Sequence, residues 1–281
     1  VTTSDGVKLR VLEAGEGPPI LLLHGITLSA DIWRYQLAEL TGHRVVALDQ
    51  RGHGRSDSGE LPLTLDLLAA DVGEVIRQLD LAEVTLVGHS MGGMVALRFL
   101  ASDLAASRQV RALALVATSA DPVGGCGVPG AKRVVGVLRP VVDHSSWWTS
   151  RLPGGSLPGH DLALLLTRLA FGERPSPSQV IETEEITGAA PAKVTAALLV
   201  DILRFDELAA SARIDLPTTV VVGTNDAVTP MRHALAMAEA IDGAELVVLP
   251  GCGHMVMLER HRELSDALMA LAQHPLTGAP A

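Results

Sequence analysis

Aromatic residues are nearly missing from this chain: three Trp, three Phe and a single Tyr, or 2% of 281 residues. A surface that stacks nucleic-acid bases needs several exposed rings, so such a platform is excluded. Basic charge is also short. Lys and Arg number 22 against 32 Asp and Glu, leaving a formal net charge of −10, the wrong sign for a phosphate backbone. No apolar run reaches the ~18 residues of a membrane span. The two cysteines, Cys126 and Cys252, are too few for a disulfide scaffold and read as free thiols. No basic segment followed by an apolar stretch opens the sequence, so a cytoplasmic location is the expectation. Metal-binding spacings such as His-Glu-x-x-His or Cys-x-x-Cys are lacking, and neither a metal nor a cofactor is expected.

What the chain does have is 48% hydrophobic residues, set in short continuous runs. Ile20–Leu23, Val45–Leu48, Val84–Val87, Ala112–Ala117, Thr218–Val222 and Glu245–Leu249 suit strands covered on both faces, as in a parallel sheet. Asp5-Gly6 reads as a turn between two short N-terminal strands. Helical patterns fall between the runs. Asp66–Leu79 places Leu67, Ala70, Val75 and Leu79 on one stripe, and Met91–Leu100 opens directly after a strand. Alternating strands and helices predict an α/β fold with helices on both sheet faces and ligands at the carboxyl ends of the strands.

The rhythm breaks between Asp121 and Ser211. Residues 121–160 are dense in Gly and Pro; helical patterns follow at Asp161–Phe171, Pro177–Thr187 and Pro191–Arg204. An excursion this long inside a compact domain reads as a cap over the sheet edge. The expected organisation is a core formed by 1–120 and 212–281, interrupted by a helical cap at 121–211.

Four loops carry the chemistry. Gly88-His89-Ser90-Met91-Gly92-Gly93 lies between a strand and a helix. A serine at so sharp a turn projects its hydroxyl above the sheet, and the glycines two before and two after it relieve crowding. The pentapeptide by itself is a weak signal; the strand–turn–helix setting strengthens it. A serine needs a base, and His254, on a glycine-rich loop after the last strand, is placed to supply one. The histidine needs a carboxylate to fix its tautomer. Asp226 after Thr218–Val222 and Asp121 after Ala112–Ala117 both compete for that part, and the order Ser, Asp, His favours Asp226. Oxyanion donors are expected in the amides of Met91, next after the serine, and Ile26, in the loop after Ile20–Leu23. His24 reads as a structural hydrogen-bonding residue. Asp49–Ser56 lacks the Gly-Lys-Ser/Thr ending of a phosphate loop and reads as a rigid structural loop. Pocket candidates are Met94, Trp147, Trp148, Phe171, Met255 and Val256. With Trp147, Trp148, Phe171 and Phe205 in or beside the cap, the large rings are expected near a substrate entrance.

From Lys8 to Leu271, these residues together resemble the α/β-hydrolase superfamily: His24-Gly25, the Asp49–Ser56 loop, Gly88–Gly93, Asp226 and His254. The resemblance implies an eight-stranded, mostly parallel sheet with a helical cap inserted after strand six, and a catalytic triad of Ser90, Asp226 and His254. Ser90 stands where dehalogenases and epoxide hydrolases of this fold carry Asp, and Tyr35, the single tyrosine, lies far from the cap where epoxide hydrolases need one. Carbon–carbon bond hydrolases share Ser90-Met91-Gly92-Gly93 but usually carry Asn and Trp where this chain has His89 and Met255. The cofactor-free haloperoxidase group usually has Phe in place of His89. The Gly-His-Ser-Met-Gly-Gly form is similar to that of carboxylesterases and lactonases. The expectation is a hydrolase of a small or medium apolar ester acting through an acyl-enzyme. A C–C hydrolase, lactonase or amidase with the same triad is the first alternative, and a ligand receptor on a hydrolase fold the second. The expected partner is a small-molecule substrate, with no nucleic acid and no membrane span.

Overall fold

The computed structural model describes residues 1–60, 62–102, 105–122 and 167–274. Trp147 and Trp148 lie outside the described residues, as do Cys126 and most of the Asp161–Phe171 helical pattern.

The described strands form one seven-stranded sheet, ordered β1-β3-β2-β4-β5-β6-β7. They are β1 Val11–Ala14, β2 Pro19–Leu23, β3 Arg44–Leu48, β4 Val84–His89, β5 Val110–Val116, β6 Thr218–Gly223 and β7 Glu245–Leu249. Only β1 is antiparallel, paired with β3; every other neighbouring pair is parallel. Among the described residues the sheet thus has seven strands where the resemblance implies eight. The N-terminal turn at Asp5-Gly6 yields a single antiparallel bridge between Thr2 and Lys8 instead of a strand pair. Val11–Ala14 carries the antiparallel edge, with only part of each residue buried, which is why its sequence shows no continuous apolar run. The long interval leaves the sheet after β5, the fifth described strand.

Side chains alternate across the sheet, as a period of two demands. Leu21 and Leu23 enter the core on one face together with Val72, Val95 and Phe99. Ile20 and Leu22 enter the core on the other face with Trp33, Val256 and Leu264. Three helices matter most for the site: α1 Arg34–Glu39, α2 Leu65–Gln78 and α3 Met91–Ala101. Thr64 caps α2 by accepting from the Leu67 amide at 3.1 Å. The helix Ala192–Ile202 is tied to the same end, its Asp201 accepting from the Leu65 amide at 2.7 Å. Phe171 and Phe205 are buried in the two cores at 3% and 1% exposure. Rings buried this deeply serve packing.

Strand order decides where a ligand can sit. The chain runs outward from β2 to β3, then returns to β4 on the other side of β2. This reversal opens a crevice between the loops after β2 and β4. The loops concerned are His24–Thr27 and the one bearing Ser90. Among the described residues no helix is long and apolar enough to cross a membrane.

The Asp49–Ser56 loop behind the crevice is pinned by charge. Asp49 accepts from the amides of Ala30 at 2.6 Å and Arg55 at 2.9 Å and from Arg10 at 3.0 Å. Arg51, 1% exposed, meets Asp71 through two hydrogen bonds of 2.8 and 2.6 Å. Asp71→Ala strands a buried guanidinium and is expected to cost about 3–5 kcal/mol in urea unfolding. Asp5→Ala, which removes the exposed partner of Arg51, should cost clearly less. Equal losses would show that Arg51 does not depend on Asp71.

Candidate active site

Ser90 sits between β4 and α3 with φ 52° and ψ −121°, a left-handed backbone that a residue with a side chain adopts only when its surroundings force it. Those surroundings are visible. The Ser90 amide donates to the Val116 carbonyl at 3.0 Å, and the Ser90 carbonyl accepts from Thr118 Oγ1 at 2.6 Å and the Gly93 amide at 2.9 Å. The turn is tight because Gly88 abuts the Gly92 carbonyl, and Gly92 abuts the Leu23 carbonyl of β2; a Cβ at either place would collide with backbone. The two glycines that the sequence pattern singled out are thus required by close backbone approach.

His254 and Asp226 meet above β6 and β7. Asp226 Oδ2 lies 2.9 Å from His254 Nδ1. The carboxylate also accepts from the Val228 and Thr229 amides and from the Thr229 hydroxyl, each at 2.8 Å. Its side chain is fully buried. Burial opposes the charge, but the facing imidazole and the Thr229 donors outweigh it and hold the carboxyl below its ordinary range. The two loops are stitched together, Asn225 donating to the Cys252 carbonyl at 2.9 Å and Gly251 to Thr224 Oγ1 at 2.8 Å. Glu259 clamps the His254 loop to the segment after Phe171, accepting from the Gly253 amide at 3.0 Å and the Gly172 amide at 2.7 Å. Asp121, the competing carboxylate, is placed elsewhere: its Oδ1 lies 2.6 Å from His233 Nδ1 and 2.9 Å from Ser119 Oγ.

A cavity of about 380 Å³ joins these groups, its described wall including Ile26, Leu28, His89, Ser90, Ala170, Thr183, Val228, His254 and Met255. Ser90 and His254 both open onto it, although no described hydrogen bond links them directly. Ile26 lines the cavity through its loop, which packs against Ser90: a Cβ on Gly25 would stand 3.1 Å from Ser90 Cβ. The Met91 amide begins α3 beside the serine. No described group accepts a hydrogen bond from either the Ile26 or the Met91 amide. Of the pocket candidates, Met255 lines the cavity. Met94, Phe171 and Val256 are not among the residues lining it; they are packed in the two cores. The helical spacing that puts Met94 one turn from Ser90 turns its side chain inward, beneath the helix.

Two buried histidines lie beside the serine turn, and His89 lines the cavity. His24, fully buried, places Nδ1 2.7 Å from the Gly25 carbonyl while Nε2 accepts from the Gln50 amide at 3.0 Å. Burial pushes its pKa down to about 3, so it is neutral and fixed in one tautomer, the structural part expected of it. His89 places Nε2 3.0 Å from the His254 carbonyl, and its ring centroid lies 4.7 Å from that of His254. Burial holds His89 well below the ordinary imidazole range, so it contributes no charge beside the Asp226–His254 pair. Sequence reasoning missed His89, Thr229 and Glu259 as supports. Only Thr229 carried a signal, standing three residues after Asp226.

The comparisons with known proteins agree on the fold. A family model described as "alpha/beta hydrolase fold" matches residues 18–261. A non-heme haloperoxidase of Rhodococcus erythropolis is 31% identical over 269 residues, covering 90% of this chain and 92% of its own. An esterase from Exiguobacterium antarcticum superposes with a TM-score of 0.82 at 25% identity, covering 98% of each chain. A thermophilic esterase from Thermogutta terrifontis superposes at 0.78 with 27% identity, covering 96% of this chain and 94% of its own.

The depressed Asp226 carboxyl makes stability depend on pH. Its charged form stabilises the fold fully above the ordinary value of 3.8, and that stabilisation is lost as pH falls through the lower folded value. Urea unfolding of the wild type and Asp226→Asn should differ at neutral pH and converge once the pH falls below the lowered Asp226 value. A gap that persists unchanged in acid would mean that the substitution acts through packing.

Proposed function

The chain belongs to the α/β-hydrolase fold family, and within it we propose a serine hydrolase that cleaves a carboxylic ester of a small or medium apolar substrate. The observation that carries this reading is one cavity shared by a serine held at φ 52° and a histidine 2.9 Å from a buried carboxylate. Ser90 Oγ attacks the acyl carbon while His254 Nε2 takes its proton. Asp226 holds Nδ1–H of His254 and stabilises the imidazolium that forms. The Ile26 and Met91 amides receive the oxyanion. Collapse of the tetrahedral intermediate breaks the bond to the alcohol oxygen, which leaves with the proton from His254. Water then attacks the acyl-Ser90 ester under the same base, releasing the acid and restoring the serine. Proton transfer needs Ser90 Oγ and His254 Nε2 within about 2.6–3.2 Å, a contact that tightens when substrate seats.

The interval 121–211 acts in this reading as the cap, since its described part sends Ala170 and the helix Pro177–Gly188 to the cavity wall. The described wall offers mostly apolar surface, from residues such as Ile26, Leu28, Ala170, Val228 and Met255, with Glu184 and several threonines among its polar members, which favours an apolar acyl or alcohol group without negative charge.

A second reading has specific support. The haloperoxidase of Rhodococcus is the relative at 31% identity, although His89 stands where that group usually has Phe. The same acyl-Ser90 could pass to hydrogen peroxide instead of water, giving a peracid able to oxidise halide.

Ester turnover graded by acyl length, measured on wild type and Ser90→Ala, tests the first reading. Ser90→Ala should lower kcat by about 10³-fold or more with little change in KM. Full turnover in the variant would end it. Ser90-dependent halogenation, in peroxide and a carboxylic acid, by a wild type with negligible ester turnover would favour the second.

A further inference from the structure

Asp226 fixes only one end of the His254 ring, through Nδ1. The other end, Nε2, goes where the backbone carries it. That backbone follows Gly251 and Gly253, which lack side chains to stiffen it. The stiffening comes from the segment 170–173. The His254 amide donates to the Ala170 carbonyl at 2.7 Å, and the Glu173 amide donates to the Gly251 carbonyl at 3.0 Å. Between these two rungs, Gly172 and Gly253 approach so closely that a Cβ on either would collide with the facing backbone.

One half-buried carboxylate spans this seam. Glu259, at the end of the short helix Val256–Glu259, accepts from the Gly253 amide at Oε1 and from the Gly172 amide at Oε2, at 3.0 and 2.7 Å. An ionised carboxylate suits this place, since both oxygens accept and neither donates. Arg168 holds the same segment by its carbonyls, donating to Gly172 at 2.8 Å. The segment also faces the substrate side. Thr167 and Ala170 line the cavity that Ser90 and His254 share, so the carbonyl that anchors the His254 amide belongs to a residue of the cavity wall. Glu259 itself is not among the residues lining that cavity.

We propose that Glu259 is a positioning residue for the reaction. By holding the Gly172 and Gly253 amides on one carboxylate, it locks the cavity wall at 170–173 to the His254 loop and sets the reach of His254 Nε2 toward Ser90. It touches no reacting atom and acts through two backbone amides. A substrate group resting on Ala170 then bears on the residue that anchors the base, so wall and base align together. A misplacement of about 1 Å at such a contact is enough to cost about 100-fold in rate. The proposal rests on the reading of Ser90 and His254 as nucleophile and base.

The test measures turnover of 4-nitrophenyl butyrate per active enzyme, counted by fluorophosphonate labelling carried to completion. Glu259→Gln keeps one acceptor oxygen and turns an NH2 group against the second amide. It should lower kcat about ten-fold or more, with KM within about two-fold of wild type. Gly172→Ala drives a Cβ into the Gly251 carbonyl, opens the seam from the other side and should do the same. The double variant should lose no more than the larger single loss, because both changes open one seam. A purely structural Glu259 would lower Tm and leave kcat per labelled enzyme unchanged; that result overturns the proposal, as do losses that multiply in the double variant. Hydrogen exchange read by mass spectrometry needs no turnover: Glu259→Gln should speed exchange in 251–257 and 168–175 together, and unchanged exchange also overturns the proposal. If the wild type hydrolyses no ester yet both segments exchange faster in the variant, the hydrolase reading fails and the Glu259 seam stands.

Discussion

The architecture around the site depends on one strained residue, Ser90 at φ 52°. Its backbone is tolerable only because β2, β4 and α3 approach one another without side chains between them. Gly92 rests on the Leu23 carbonyl, Gly88 on Gly92, and Gly93 on Thr118. Any of these positions with a Cβ would push α3 off the sheet and let the turn relax into ordinary geometry. The strain is thus maintained by packing of the core, and it aims a hydroxyl into the crevice that the strand order opens.

Around that turn the charged and polar groups fall into two kinds. Asp226 is buried yet ionised, because His254 and Thr229 compensate its lost hydration. His24 and His89 are buried and neutral, because burial without a facing carboxylate removes their charge. His89 packs beside His254 without adding charge, while Asp226 faces that imidazole. The His89–His254 contact also explains why a ring before the serine is useful here. His89 meets the His254 carbonyl and packs against its ring, where a phenylalanine could supply the packing alone.

Much of this was legible in the sequence, for reasons that differ by element. The central strands stood out because both faces are buried, giving runs such as Ile20–Leu23 without polar interruption. The serine turn was readable because the glycines around Ser90 stand where backbone meets backbone. Val11–Ala14 escaped because an edge strand buries only part of itself. Met94, Phe171 and Val256 were read as pocket residues because an apolar side chain near a catalytic motif suits a core and a pocket equally; only the direction of the side chain separates them. Asp121 and Asp226 were both open from spacing, and the structure separates them by giving Asp121 to His233. His89 and Glu259 act through contacts with residues distant in sequence, and no local pattern announces such contacts.

The central claim is that the strained Ser90 hydroxyl is the nucleophile and His254 its base. A fluorophosphonate probe, followed by intact mass and peptide mapping, tests it most directly. The account predicts one adduct per chain on Ser90, none on Ser90→Ala, and strongly slowed labelling in His254→Ala. Labelling at another residue, or undiminished labelling of Ser90→Ala, would contradict it.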